Sequence, residues 1–234
     1  MLAHTVTDRC SGCLRAVLEP SPRADHRYCQ YIDRMTLLPR KARGEVVLGV
    51  AGDTVFVGDH IAYFYETDAE FQRAFGFLDV GLQGADHCVI FGVPDDIDRA
   101  LDVVRGLGWD TDALIASGRL SIMHPAATSE ETADRVSQHF AKLLAAGAPL
   151  IRFIGNAAVG REGWPEEEEF YKLEATVSEA SLTLPCVAIC MFDLRSQPAR
   201  TIMKAAFEGH PVTLHRNCVR ENPYYVPRSE ALAG

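Results

Sequence analysis

A chain of 234 residues with 47% apolar and 24% charged side chains has ordinary globular composition, with enough apolar material for a core that needs no disulfides. Its net charge of −9, with no dense Lys/Arg block, repels a phosphate backbone and argues against nucleic acid as a partner. No run of about eighteen apolar residues is present to span a membrane, and the first residues lack the basic and apolar regions of a secretion signal, so a cytoplasmic protein is expected.

Residues 1–45 stand apart from the rest. They hold three of the seven cysteines and show little apolar periodicity. Cys10, Cys13, His26 and Cys29 give the spacing C-x2-C-x12-H-x2-C. A C-x2-C pair lets two thiolates meet one ion across a tight turn, and a second pair about a dozen residues on closes a tetrahedron, the pattern of a structural zinc site. Zinc would also fold a segment too poor in apolar residues to fold alone. A redox pair of Cys10 with Cys13, or a tail with ordinary thiols, are the competing readings. His215 and Cys218 repeat the H-x2-C spacing but form no set by themselves.

A regular α/β rhythm occupies residues 46–234. "EVVLGVAGDTVFVGDHIAYFY" holds short β-rich runs divided by Gly-Asp turns, and Thr67 and Asp68 cap a helix bearing Phe71, Phe75, Leu78 and Leu82 at helical spacing. "CVIFGV" reads as a strand and "DDIDRALDVVRGLG" as a helix closed by Gly108. "RLSIMH" is a strand, followed by a helix over about residues 129–146 and the strand "PLIRFIG". "PEEEEFYKLEATVSEASL" is a helix whose first turn is acidic, which suits the helix dipole. "CVAICMFD" is a buried strand, "QPARTIMKAAFEG" a helix and "PVTLHR" a last strand. Near-continuous apolar strands separated by helices predict a three-layer α/β domain, its mostly parallel sheet covered on both faces.

The segment "HIAYFYETDAEFQRAFGFLDVGLQGADHCVIFGV" resembles the opening of the MEDS domain, the sensory domain of methanogens and methylotrophs. "LGWDTDALIASGRLSIMHP", "PLIRFIGNAAVG", "FYKLEATV", "PCVAICMFDLR", "GHPVTL" and "ENPYYVP" follow in the family's order, from about Asp59 to Pro227. The resemblance implies a RecA/KaiC-like fold acting as a signal-input module. It also implies a small ligand, such as a hydrocarbon derivative, and a regulatory partner such as a histidine kinase or a transcription factor. A homodimer is compatible with this reading.

An ATPase of RecA type requires G-x-x-x-x-G-K-[ST], in which backbone amides and the lysine hold the phosphates. The lysines are Lys41, Lys142, Lys172 and Lys204, and none follows a glycine, so ATP hydrolysis is not expected. Neither G-x-S-x-G nor H-E-x-x-H occurs, and the protein reads as a non-enzyme. Weaker alternatives are a KaiC-like nucleotide binder with a degenerate loop and a zinc-dependent transcriptional regulator.

In open α/β sheets, ligands sit beyond the carboxyl ends of the strands. Tyr65, Glu66, Asn156 and Asp193 occupy such ends, and Trp164 lies in a loop long enough to close over a ligand. Glu174 in "FYKLEA" matches a family position. Cys190 could face the ligand end from its strand, and Arg152 inside an apolar strand demands a carboxylate or an anionic ligand. His60 and His124 read as hydrogen-bonded structural histidines.

Overall fold

The computed structural model describes residues 39–50, 52 and 54–225; Cys10, Cys13, His26 and Cys29 lie outside them. A hairpin of β1 (Glu45–Val47) and β2 (Thr54–Phe56) leads into β3 (His60–Tyr65). Then come α1 (Asp68–Ala74), α2 (Gly76–Gln83), β4 (His87–Phe91), α3 (Pro94–Gly106), α4 (Thr111–Ala116) and β5 (Leu120–Met123). The chain continues through α5 (Ser129–Ala145), β6 (Ile151–Asn156), α6 (Glu167–Ser181), β7 (Cys186–Asp193) and α7 (Ala199–Lys204). A π-helical turn (Ala205–Gly209), β8 (Val212–His215) and β9 (Cys218–Glu221) complete it.

The seven-stranded sheet has the order β5-β4-β6-β7-β3-β8-β9, and every pairing is parallel except β8 with β9. Parallel pairs need crossovers, and here helices cross on both faces. This is why β3, β6 and β7 read as almost unbroken apolar runs: nearly every position is buried. Strand alternation sorts the side chains. Ile61, Tyr63, Ile189 and Met191 pack with Phe71, Phe77 and Leu101 of the α1–α3 layer. On the opposite face Val89 and Phe153 meet Phe140 of α5 and Leu173 of α6, while Ala62, Cys190 and Phe192 meet Phe170 of α6 and Ala205.

Three details differ from the sequence reading. The helix drawn through Phe71, Phe75, Leu78 and Leu82 is two helices, broken at Phe75. At the break Gly76 crosses Gly49, and a Cβ on Gly76 would lie 2.3 Å from the Gly49 carbonyl oxygen, an approach that requires glycine. A short helix, α4, follows Asp110, whose side chain accepts from the Ala113 amide. Finally, "PVTLHR" is not the last strand, because β9 pairs antiparallel with β8. Arg216 and Asn217, at φ 47° and 63°, form the two-residue hairpin turn. Asn-Gly or Asp-Gly would have announced such a turn; Arg-Asn does not.

Candidate functional site

The predicted ligand residues fall into three places. At the carboxyl ends of the central strands, Tyr65 donates to Asn156 Oδ1 at 3.0 Å. Burial, and then the charge of Asp193, push the Tyr65 phenol up to about 12. Asp193 accepts two bonds from the Arg195 guanidinium, at 2.9 and 2.8 Å. Burial pushes this carboxyl up, but the Arg195 bonds and charge outweigh it and hold it below its ordinary range. Arg99 and Arg195 both reach Asp68, and Glu66 lies at the surface with Arg216 3.7 Å away. Acids and arginines at this end neutralise one another.

Arg152 lies near the opposite end of β6. It donates through Nε to Asp86 at 2.7 Å, and through Nη1 to the carbonyls of Val47 and Phe77. Of the carboxylate or anionic ligand that a buried arginine demands, the structure supplies the carboxylate. His124 likewise bonds a carbonyl, that of Gly92, as expected of a structural histidine.

Glu174 and Cys190 come together with two histidines that the sequence reading did not place in the site. His60 opens β3 and Cys190 lies on β7; both project toward α6. Glu174 and Ser178 are one turn apart on α6, and His210 follows the π-helical turn. All four chemical groups are buried, with exposures of 0% for His60, 6% for Glu174, 7% for Cys190 and 0% for His210. Their ligating atoms lie within 4.8 Å of one another. His60 Nε2 is 3.1 Å from Cys190 Sγ and 3.6 Å from Glu174 Oε2, and His210 Nε2 is 2.6 Å from the same oxygen. That last approach lacks hydrogen-bond geometry, and both its atoms are buried without a hydrogen-bond partner.

The outer nitrogens fix the rings. His210 Nδ1 donates to the Ala205 carbonyl at 3.1 Å, and a neutral ring held in this way presents its Nε2 lone pair. Ser178 donates its hydroxyl to the Gly209 carbonyl, which leaves its oxygen to accept from His60 Nδ1 at 2.8 Å. His60 Nε2 therefore also presents a lone pair to the centre. Burial, then the neighbouring His210, hold the His60 imidazole well below its usual value. Burial, then the Glu174 charge, push the Cys190 thiol well above its own.

Two hollows flank this group. A cavity of about 20 Å³ lies between α6 and the sheet, lined by Phe91, Phe153, Trp164, Phe170, Glu174 and Cys190 among others. Trp164, expected to close over a ligand, packs edge-on against Phe91 at 5.7 Å and is part of this cavity's lining. A larger cleft of about 300 Å³ opens between α6 and the π-helical turn, with Glu174 and His210 among its lining and Lys204, Glu208 and Tyr225 among its polar groups. π-Helical turns concentrate at functional sites.

At the start of α6, Glu169 caps α5, accepting from the Ser129 amide at 2.9 Å and hydroxyl at 2.7 Å. The Lys172 ammonium, and then the Ser129 bonds, hold its carboxyl down to about 2. A carboxylate lowered by folding stabilises the fold above its unfolded range, and that contribution disappears as the pH falls toward about 2. Carboxyl NMR titration should place the Glu169 midpoint near that value. A midpoint in the ordinary glutamate range would show that the cap does not form.

His60 lies 114 residues before Glu174 and His210 lies 36 after it, so the group forms no local motif. The available signals were His60 at the head of a buried strand and His210 just before the strand "PVTL".

Comparison with curated proteins returns no match. Among solved structures, the chain is similar to the uncharacterized protein PH0321 from Pyrococcus horikoshii, crystallised in complex with an unknown peptide. The TM-score is 0.51 at 14% identity, over 69% of this chain and 81% of that one, a likeness of fold. The family described as MEDS, the MEthanogen/methylotroph, DcmR Sensory domain, matches residues 59–211. From its first central strand to the histidine before β8, this chain belongs to the MEDS family of sensory domains.

Proposed function

We propose that the domain is the input module of a signalling protein and takes a small molecule in the cleft between α6 and the π-helical turn. One observation carries the reading: the cleft reaches Glu174 and His210, two buried groups whose inner atoms have no hydrogen-bond partner. A largely apolar hollow with a few polar groups converging on it is the usual form of a small-molecule site. Its volume of about 300 Å³ suits a compact molecule with an apolar body and one polar group, in keeping with the hydrocarbon derivatives that the family resemblance implies.

The protein acts without turnover, in the cytoplasm, passing its state to a kinase or transcription factor. The parallel three-layer sheet supports a RecA/KaiC-like ancestry, but the region after β3 does not suit a triphosphate. Glu66, Asp68 and Glu70 stand around the start of α1, and the nearby Arg99, Arg195 and Arg216 are already paired with acids there instead of facing a phosphate. Zinc at Cys10, Cys13, His26 and Cys29 would tie the N-terminal segment together for contact with the partner. Among the described residues, no helix is long and apolar enough to cross a membrane.

The test is thermal unfolding with methanol, formaldehyde, dichloromethane and acetate, on the native chain and on Ala175→Phe, which fills the cleft. A ligand at a hundred times its Kd adds about 2.7 kcal/mol. In a chain of this size that raises Tm by roughly 5–10 °C. A saturable rise that Ala175→Phe abolishes, with the ligand recovered unchanged, is the expected result. No saturable rise with any of the four, or one that survives Ala175→Phe, would remove the cleft from the function.

A further inference from the structure

We infer that His60, Glu174, Cys190 and His210 form a four-ligand site for a divalent metal ion of the zinc class. The argument begins with protons. The Ala205 carbonyl and the Ser178–Gly209 relay hold both histidines protonated at Nδ1, so two imidazole lone pairs point inward. They meet a carboxylate oxygen and a thiol sulfur. Two nitrogens, a carboxylate oxygen and a sulfur thus converge, and Glu174 Oε2 and His210 Nε2 have no hydrogen-bond partner. A cation at the centre would bind all four.

The distances agree. Tetrahedral zinc with bonds of about 2.0–2.3 Å separates its ligands by about 3.4–3.7 Å. Here three of the pairs lie 3.1, 3.6 and 2.6 Å apart, and all lie within 4.8 Å, so shifts of about an ångström seat the ion. Charge balances as well. On binding, Cys190 gives its thiol proton to solvent, and the thiolate with the Glu174 carboxylate cancels the two charges of the ion. A neutral centre removes the cost of burying either anion alone.

Donor chemistry selects the metal. Magnesium and calcium ask for oxygen ligands throughout, and copper(I) for more sulfur, whereas two nitrogens, one sulfur and one carboxylate suit zinc. The relays to Ser178 and Ala205 are the outer hydrogen bonds that orient histidine ligands. Glu174 and His210 also line the larger cleft, which gives an ion its way in. The site shares a floor with the proposed ligand cleft but does not require that the cleft take a ligand.

The experiment uses the full chain carrying Cys10→Ser, Cys13→Ser and Cys29→Ser, so that the N-terminal set cannot contribute. Stripped with a chelator and dialysed against zinc or cobalt(II), it should take up one ion per chain. The cobalt form should show the intense visible bands of a four-coordinate ion and a near-ultraviolet thiolate-to-cobalt band. Cys190→Ser should lose that near-ultraviolet band. Ser178→Ala, which keeps all four ligands, should bind zinc about 10- to 100-fold more weakly with unchanged far-ultraviolet circular dichroism. Should Cys190→Ser fail to fold, the Ser178→Ala affinity decides. A folded parent without stoichiometric metal, a thiolate band that survives Cys190→Ser, or zinc affinity unmoved by Ser178→Ala would each overturn the site. Metal uptake without any ligand-induced stabilisation would leave this inference standing and overturn the ligand reading alone.

Discussion

Asp86→Ala is expected to cost about 3–5 kcal/mol, because it leaves the Arg152 guanidinium buried with carbonyls but no counter-charge. Arg152 is only 4% exposed and cannot turn outward to water. Against a typical total of about 5–15 kcal/mol, that loss brings the fold near its limit. Arg152→Met should cost less, since Asp86 sits closer to solvent, with its side chain 19% exposed, and can hydrate once the arginine is gone. The double variant should recover most of the loss of Asp86→Ala, which marks a coupled pair rather than two independent contacts. Urea unfolding of the three variants checks this. A loss below about 1 kcal/mol for Asp86→Ala would show that the carbonyls of Val47 and Phe77 suffice.

The same arginine shows how far the residues could be read without coordinates. Strands β3, β6 and β7 were legible because burial on both faces writes an unbroken apolar run, and helix caps such as Thr67 announce themselves locally. An arginine inside such a run signals a buried partner, but which partner depends on the fold: Asp86 is 66 positions away. The break at Gly76 arises from a contact with Gly49 across the hairpin, and no helical periodicity records it.

The site was half legible for the same reason. Glu174 and Cys190 drew notice from their surroundings, a glutamate in a family motif and a cysteine in a buried strand. His60 reads from its sequence surroundings as a structural histidine, and nothing local in "GHPVTL" singles out His210. A cluster is visible when its members share a helix face or a loop. Here they come from β3, α6, β7 and the turn before β8, brought together because β3 pairs with β7 and β8 and α6 lies across them. The central position of β3 follows from sheet order, which local pattern does not specify. Tyr65, Asn156 and Asp193, by contrast, were found where strand ends were expected, but they form a neutralised polar rim apart from the buried group.

Phe170→Ala should lower stability by about 3–5 kcal/mol. The ring is 1% exposed and packs against Trp164 and Phe192, with centroids 6.0 and 6.2 Å away. In a chain of this length the expected fall in Tm is about 6–20 °C. The variant should gain a second property, because Phe170 lines both the cavity of about 20 Å³ and the cleft of about 300 Å³ and stands between them. Removing it joins them into one larger apolar hollow, and apolar hollows of this kind accept benzene. Benzene should therefore raise the Tm of Phe170→Ala more than that of the native chain, restoring part of the lost packing. A Tm within about 2 °C of the native value would mean that the neighbouring rings collapse into the gap. Equal benzene responses would mean that the ring does not divide the hollows, and that the upper size of a ligand in the cleft is set elsewhere than at Phe170.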